Sequence, residues 1–370
     1  DVIVKNGARY HFNLPESTQS WKVNDLDDNN PSTFISNTEY ESDIGKRALQ
    51  IEFNDLSTGL SSECYVDTFF PEDLTKLDGL ARERFFHYDF ISCPIVYSGQ
   101  KIKTQLISNS DKDITINLFV KYWGENDKLI KINSDDFFFQ NKESKDIEWN
   151  VPDTGSNPIA QIGISISSSE KSSGKLLVNY LDISGEPKIT FKKPEHIASP
   201  KRGVSHDDTP FYGHMWKNNF VQAIDKWESR WKESFRITQN IGRGVVFTGN
   251  DKWKNYSVSS KLNFHLVKSG GVIARVQGLK RYYALEVTAE NKLRIAKMYY
   301  ELETLKEVDF NFEFFTDYNL TLQVDNNNIK GYLDGKLIIE ADDTNNPLAF
   351  GGAGIVAEDG TMCTEEISIS

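Results

Sequence analysis

Sulfur is scarce in this chain, with three cysteines and three methionines among 370 residues. Cys64, Cys93 and Cys363 cannot make a disulfide framework, and none stands at the spacing of a zinc knuckle. One bridge, Cys64 to Cys93, stays open beside the alternative of three buried reduced thiols. The six histidines include no pair at the spacing of a helical zinc site. Long apolar runs are missing too. No stretch approaches the roughly 18 residues a spanning helix needs, so no membrane partner is expected. The amino end, Asp1-Val2-Ile3-Val4-Lys5, lacks the charged start and apolar core of a signal peptide, and an opening Asp instead of Met fits a processed or excised chain. Compartment stays open: cysteine usage leans cytoplasmic, while the missing Met leaves export possible. Positive charge is also short. The 42 Lys and Arg against 54 Asp and Glu give a net charge of -12, which repels phosphate backbones and argues against nucleic acid.

Aromatic residues are abundant instead. With 23 Phe, 15 Tyr and 7 Trp, the chain carries enough ring surface to collapse into a core, and its length fits two domains. Alternation of period two dominates. Ile114–Val120, Ile159–Ile166 and Leu176–Leu181 read as strands, separated by polar turns. Pro187, Pro194, Pro200 and Pro210, with the polar run 201–209, interrupt the pattern. This places a linker at residues 191–212 between domains at 1–190 and 213–370. Phe220–Glu233 is the one stretch with helical spacing, through Val221, Ile224, Trp227 and Trp231, and a twisted strand fits it nearly as well. Beyond it, Tyr318–Val324, Ile329–Leu333 and Lys336–Ile339 form a meander with Asp334-Gly335 as a two-residue turn. A second hairpin joins Gly271–Val276 to Tyr282–Val287. The expected fold is all-β, with two antiparallel β-sandwiches in tandem.

Catalytic patterns are absent or incomplete. Sandwich glycosidases commonly project three carboxylates from one strand face, since alternate side chains point the same way. Glu41-Ser42-Asp43 comes nearest, but Gly45 and Lys46 stand where a third acid belongs, and Glu301, Glu303 and Glu307 include no Asp. There is no Gly-x-Ser-x-Gly elbow and no cysteine in a protease context. Gly242-Arg243-Gly244 and Gly351-Gly352-Ala353-Gly354 lack the helix that a phosphate loop needs. His206-Asp207-Asp208 sits in the proline-flanked linker and reads as solvated loop. Asp25, Asp27 and Asn29 offer oxygens at alternating positions for a structural calcium ion, against the alternative of an acidic turn.

The densest cluster of recognition chemistry lies in the second half, with Gln239, Trp253, Tyr256, Arg275, Gln277, Arg281, Tyr282 and Tyr283 around predicted hairpins. Rings stack on the apolar face of a sugar, while Arg and Gln present forked donors to hydroxyls. Trp253, Arg275, Gln277, Arg281 and Tyr282 are the candidate ligand-binding residues. The competing reading makes Trp253 and Tyr283 core and Arg275 a buried partner for Glu286. Alternation puts Arg275 with Gln277 on one strand face, and Tyr282 with Glu286 on one face of the next.

Phe235–Asn240, Gly242-Arg243-Gly244, Thr248-Gly249, Trp253–Tyr256 and the string Gly270–Tyr283 together resemble the concanavalin A-like region at the carboxyl end of long bacterial ADP-ribosylglycohydrolase-family proteins. Trp149–Pro152, Pro158–Gly163 and Leu177–Pro187 are similar to the segment preceding it. The resemblance implies a jelly-roll or galactose-binding-like sandwich followed by a concanavalin A-like or laminin G-like one. It also implies a hydrolase neighbour, a separate helical domain whose acidic clusters bind paired magnesium ions. Those clusters are missing here, so no catalytic residue carries over. The leading expectation is a non-catalytic pair of modules that binds a carbohydrate or glycoside for such an enzyme. The alternatives are a glycoside hydrolase or lyase whose acids come from different strands, and sandwiches serving only docking or oligomerisation.

Overall fold

The computed structural model describes residues 8–23, 32–69, 93–124, 128–194, 214–228 and 231–370. The candidate calcium run at Asp25, Asp27 and Asn29, the His206-Asp207-Asp208 triplet and the linker from residue 195 to 212 lie outside them. All strand pairings are antiparallel, and α1 (His214–Lys217) is the single helix among the described residues.

The first half is two facing sheets. One runs β1 (Lys22–Val23), β4 (Ser62–Asp67), β10 (Ile159–Ser167), β6 (Ile114–Trp123) and β7 (Leu129–Asn133), with β8 (Phe137–Phe139) also on β6. The other runs β2 (Ser32–Glu39), β3 (Arg47–Leu56), β11 (Ser172–Ser184), β5 (Lys101–Ser110) and β9 (Ser144–Asn150). The alternation legible in the sequence sorts their faces. Ile116, Leu118 and Val120 from one sheet and Leu49, Ile51, Leu106, Leu176 and Val178 from the other close a single core. Cys64 lies in that core, and all three cysteines are free.

The second half is one continuous bonded sheet folded on itself. Its front layer runs β20 (Glu301–Asp309), β19 (Lys292–Tyr299), β18 (Arg281–Thr288), β17 (Ser269–Gly278) and β24 (Gly352–Thr364), and β15 (Phe235–Thr248) flanks β24. From β24 the bonding passes to β16 (Tyr256–Leu266), β21 (Asp317–Asp325), β22 (Asn328–Leu333) and β23 (Lys336–Asp342), which form the back layer. The expected meander is β21 to β23. Its turn pairs Leu333 with Lys336 and holds Asp334 and Gly335 at φ of 50° and 78°, which Asp and Gly tolerate. The Phe220–Glu233 stretch resolves toward the strand reading, as β13 (Val221–Ala223) and β14 (Lys226–Trp227) on β15. Trp227 stacks on Phe235 in the core, whereas Trp231 is exposed.

The two sandwiches interlock. β12 (Ile189–Lys192), which straddles the expected boundary at residue 190, pairs with β25 (Glu366–Ile369) at the chain's carboxyl end. The turn at residues 97–100 carries Tyr97 into the core of the second sandwich, its ring edge-on to Trp253 at 4.9 Å. Its hydroxyl lies 2.9 Å from Thr248 Oγ1 and accepts the Gly249 N–H at 3.0 Å. Thr248 in turn donates to the Asn219 carbonyl, so the Tyr97 proton points at Thr248. Trp216 Nε1 donates to Ser156 Oγ and Asn250 Nδ2 to the Ile95 carbonyl across the same seam.

Replacing Tyr97 with Ala is therefore expected to destabilise the second sandwich as well as the first, by about 3–4 kcal/mol. Calorimetry would show both sandwiches melting earlier. A variant in which the second sandwich melts as in the wild type would show that the seam carries no energy.

Candidate functional site

Three of the five residues expected to touch a ligand are framework. Trp253 has no exposed surface and packs between Tyr97 and Tyr256. Arg275 is 1% exposed. Its Nε donates to the Lys254 carbonyl at 3.0 Å, its Nη1 to the Leu348 and Asn326 carbonyls, and its Nη2 to Asn255 Oδ1. Arg275 therefore does not pair with Glu286, as the competing reading had it. A φ of 49° at Arg275 and a register shift between Ala274 and Gly278 break the alternation that would have set it beside Gln277. The close approach requires Gly351, where a Cβ would meet the Arg275 carbonyl carbon at 2.6 Å. Burial lowers the Arg275 pKa, and a ring of carbonyls in place of a carboxylate leaves a cation whose task is to tie three loops together.

Tyr282 and Glu286 do share a face, and what joins them is Arg243, whose candidacy the sequence hid inside a glycine fragment. Arg243 Nη2 reaches Glu286 Oε2 and its Nη1 reaches Glu358 Oε2, each at 2.7 Å, while its Nε donates to the Tyr282 hydroxyl at 3.3 Å. Arg294 Nε binds Glu286 Oε1 at 2.7 Å, and Lys268 and Ser269 bind Glu358. The Glu286 side chain is fully buried. Burial alone would raise the Glu358 pKa, but hydrogen bonds from Lys268, Arg243 and Ser269 outweigh it and hold the carboxyl at about 2.

The other two expected residues stand together at a solvent-facing tip. The end of β17 carries Gln277, whose amide donates to the Phe350 carbonyl at 2.9 Å, and Arg281 opens β18 after a two-residue turn. The next turn, between β19 and β20, brings Tyr299 and Tyr300, which are 38% and 56% exposed. The Arg281 guanidinium lies 5.3 Å from one ring centroid and 4.9 Å from the other, and its Nη2 donates to the Tyr300 hydroxyl. Sequence reading missed both tyrosines, although the β18–β19 register sets Tyr299 opposite Arg281. The two rings meet edge to face, with centroids 5.3 Å and planes 83° apart, and with the planar cation beside both they make a preformed, angled platform with polar donors at its edge.

The acidic motifs lead elsewhere. Glu41 and Asp43 are exposed in the turn from β2 to β3, and Glu301, Glu303 and Glu307 lie exposed along β20. Among the described residues no group of three His, Cys, Asp or Glu side chains can hold a metal ion.

No family model matches the chain, and no curated protein matches it. Solved structures resemble it in part. One is the carbohydrate-binding module CBM66 from Bacillus subtilis, at 16% identity over 41% of this chain and 94% of that chain, with a TM-score of 0.37. Others are the CBM22-1 xylan-binding domain of Paenibacillus barcinonensis Xyn10C, at 10% over 47% and 90% with 0.30, and the Caenorhabditis elegans galectin LEC-6, at 9% over 45% and 99% with 0.29. These values describe a partial likeness in sandwich shape, and the function is read below from the chain's own residues.

Two outcomes follow for stability. Arg275→Met strands several buried carbonyls and is expected to cost about 3 kcal/mol or more in denaturant titrations, whereas Arg281→Ala at the tip should change stability by less than about 0.5 kcal/mol. Equal effects would contradict the division into framework and tip. For Glu358 the folded pKa lies below the unfolded one, so its contribution is complete above about pH 4.5 and is lost as pH falls toward 2, amounting to about 3 kcal/mol. Glu358→Gln should flatten stability against pH in that window. An unchanged slope would assign the acid sensitivity to other carboxylates.

Proposed function

We propose that the chain is a non-catalytic saccharide-binding pair of sandwiches, with the Arg281, Tyr299 and Tyr300 platform as its contact surface. The observation that carries this reading is the pair of solvent-facing phenol rings held by one guanidinium. With the ring planes 83° apart, one ring stacks on the C–H face of a pyranose, while the other's hydroxyl and the guanidinium meet its hydroxyl groups. The carboxylates support binding over hydrolysis. Glu358 is held ionised far below neutral pH, the opposite of the raised carboxyl that a general acid needs, and Glu286 has both oxygens occupied by two guanidiniums. In this reading the two sandwiches, divided at residues 191–212, are ancillary to an ADP-ribosylglycohydrolase-like or other glycoside-processing enzyme. The resemblance of Gly270–Tyr283 and the residues before it supports that placement.

Isothermal titration with xylohexaose, cellohexaose, laminarihexaose, lactose and ADP-ribose tests it. Tyr300→Ala and Arg281→Ala should bind about tenfold more weakly than the wild type at unchanged melting temperature, and Trp253→Phe should bind normally. Affinity unchanged in all three variants would remove the platform. Turnover of a probe, abolished by replacing one Asp or Glu, would replace binding with catalysis.

A further inference from the structure

A cleft of about 480 Å³ opens on the outer face of the sheet where β24 meets β16, at the far end of β24 from the tyrosine platform. Strand register builds its floor. Arg236 pairs with Cys363, Cys363 with Asn263, and Asn263 with Asp317, so one row of side chains crosses four strands. His265, two residues beyond Asn263, faces the same way, and its Nε2 lies 3.6 Å from Cys363 Sγ. Burial raises the Cys363 thiol to about 11, so it floors the cleft as a neutral, weakly polar group and not as a nucleophile.

The walls are polar, and a ring stands beside them, packed on His265. Phe315 is 72% exposed, and its ring stacks on the His265 imidazole with centroids 5.6 Å apart and planes 26° apart. Its amide donates to the Phe264 carbonyl at 2.7 Å, which holds this apolar ring in water beside the cleft. Asp317 accepts from Asn263 Nδ2 and from Lys261 Nζ, each at 2.7 Å. A carboxylate has about four lone-pair sites, so Asp317 keeps acceptor capacity and the Asn263 amide oxygen is oriented with it. Glu233, Thr364, Glu365 and Glu366 complete the lining. An exposed ring beside paired acceptors and donors, in a volume of this size, suits a sugar's apolar face and adjacent hydroxyls.

We infer that this cleft is a second saccharide site, beside which Phe315 stacks on a pyranose while the Asp317 and Asn263 pair takes its hydroxyls. The inference rests on the saccharide reading above, but it uses none of the platform's residues. From Gly352 to Cys363 the strand covers roughly 35 Å, so a short oligosaccharide occupies one site at a time while a polysaccharide can engage both.

Titration of the full chain with the same oligosaccharides separates the cases. Two sites per chain are expected. Phe315→Ala, Phe315→Leu and Asp317→Asn should each remove one of them, and Tyr300→Ala the other. Phe315→Leu keeps apolar bulk without a ring, so a common loss in both Phe315 variants speaks for stacking and not for misfolding. If the cleft variants bind as the wild type does while Tyr300→Ala abolishes binding, the cleft inference is overturned and the platform stands. If binding is lost in the cleft variants alone, the cleft stands and the platform falls. No binding of any probe to the wild type would remove both.

Discussion

The Tyr97 hydroxyl, buried between two β-sandwiches, is the constraint on which the arrangement of the molecule depends. It sits in a directional chain, taking the Gly249 proton and passing its own to Thr248, which passes one to the Asn219 carbonyl. Burial raises its pKa well above the usual phenol value, so it stays a neutral donor. The residue belongs in sequence to the first sandwich and in space to the core of the second. Gln100 fixes the turn that delivers it, accepting the Tyr97 amide proton at 3.0 Å and donating to the Gly185 carbonyl at 2.8 Å. Because the seam is made of core residues and not of surface contacts, the two sandwiches share one packing problem.

The same logic separates buried cations from those at the surface. A guanidinium removed from water must have its donors satisfied, and the protein does this in two ways. Arg243 is matched by two carboxylates and a phenol, which knit the front layer together. Arg275 is matched by carbonyls from three loops, and this gathers residues 254–255, 326 and 348 at one end of the sandwich. That end is also where Phe350 accepts from Gln277. The buried cation thus fixes the base from which the turn carrying Arg281 projects. Of these three, Arg281 lies at the surface, beside two aromatic rings.

Much of the fold was legible because alternation and turn chemistry are local. The β21 to β23 meander follows from period-two patterning and from Asp334-Gly335, and the faces of Tyr282 and Glu286 from counting along β18. What the sequence hid was non-local or off-pattern. The pairing of β12 with β25 joins residues far apart in the chain, and no local signal reports it. Arg275 defeats counting because its left-handed φ shifts every side chain after it. Trp253 looks like a stacking residue in sequence since exposed and buried indoles have the same composition; only the arrival of Tyr97 from the other half decides its burial. Asn263, His265 and Asp317 carry no motif, because their cleft exists only once three strands are in register.

Tyr299 and Tyr300 show how a platform escapes the pattern that would bury half of it. Adjacent residues in a strand point to opposite faces, so two tyrosines in a row should place one ring on each side of the sheet. Tyr300 instead adopts a φ of 65°, and its amide donates to the Lys280 carbonyl at 2.8 Å, which ties one hairpin turn to the next. For a bulky side chain that conformation costs on the order of 1 kcal/mol. In return both rings come within reach of the same guanidinium. Little packing compensates that strain: Tyr300 stays 56% exposed and meets Tyr299 edge to face with planes 83° apart, so the Arg281 guanidinium is the contact that holds the pair together.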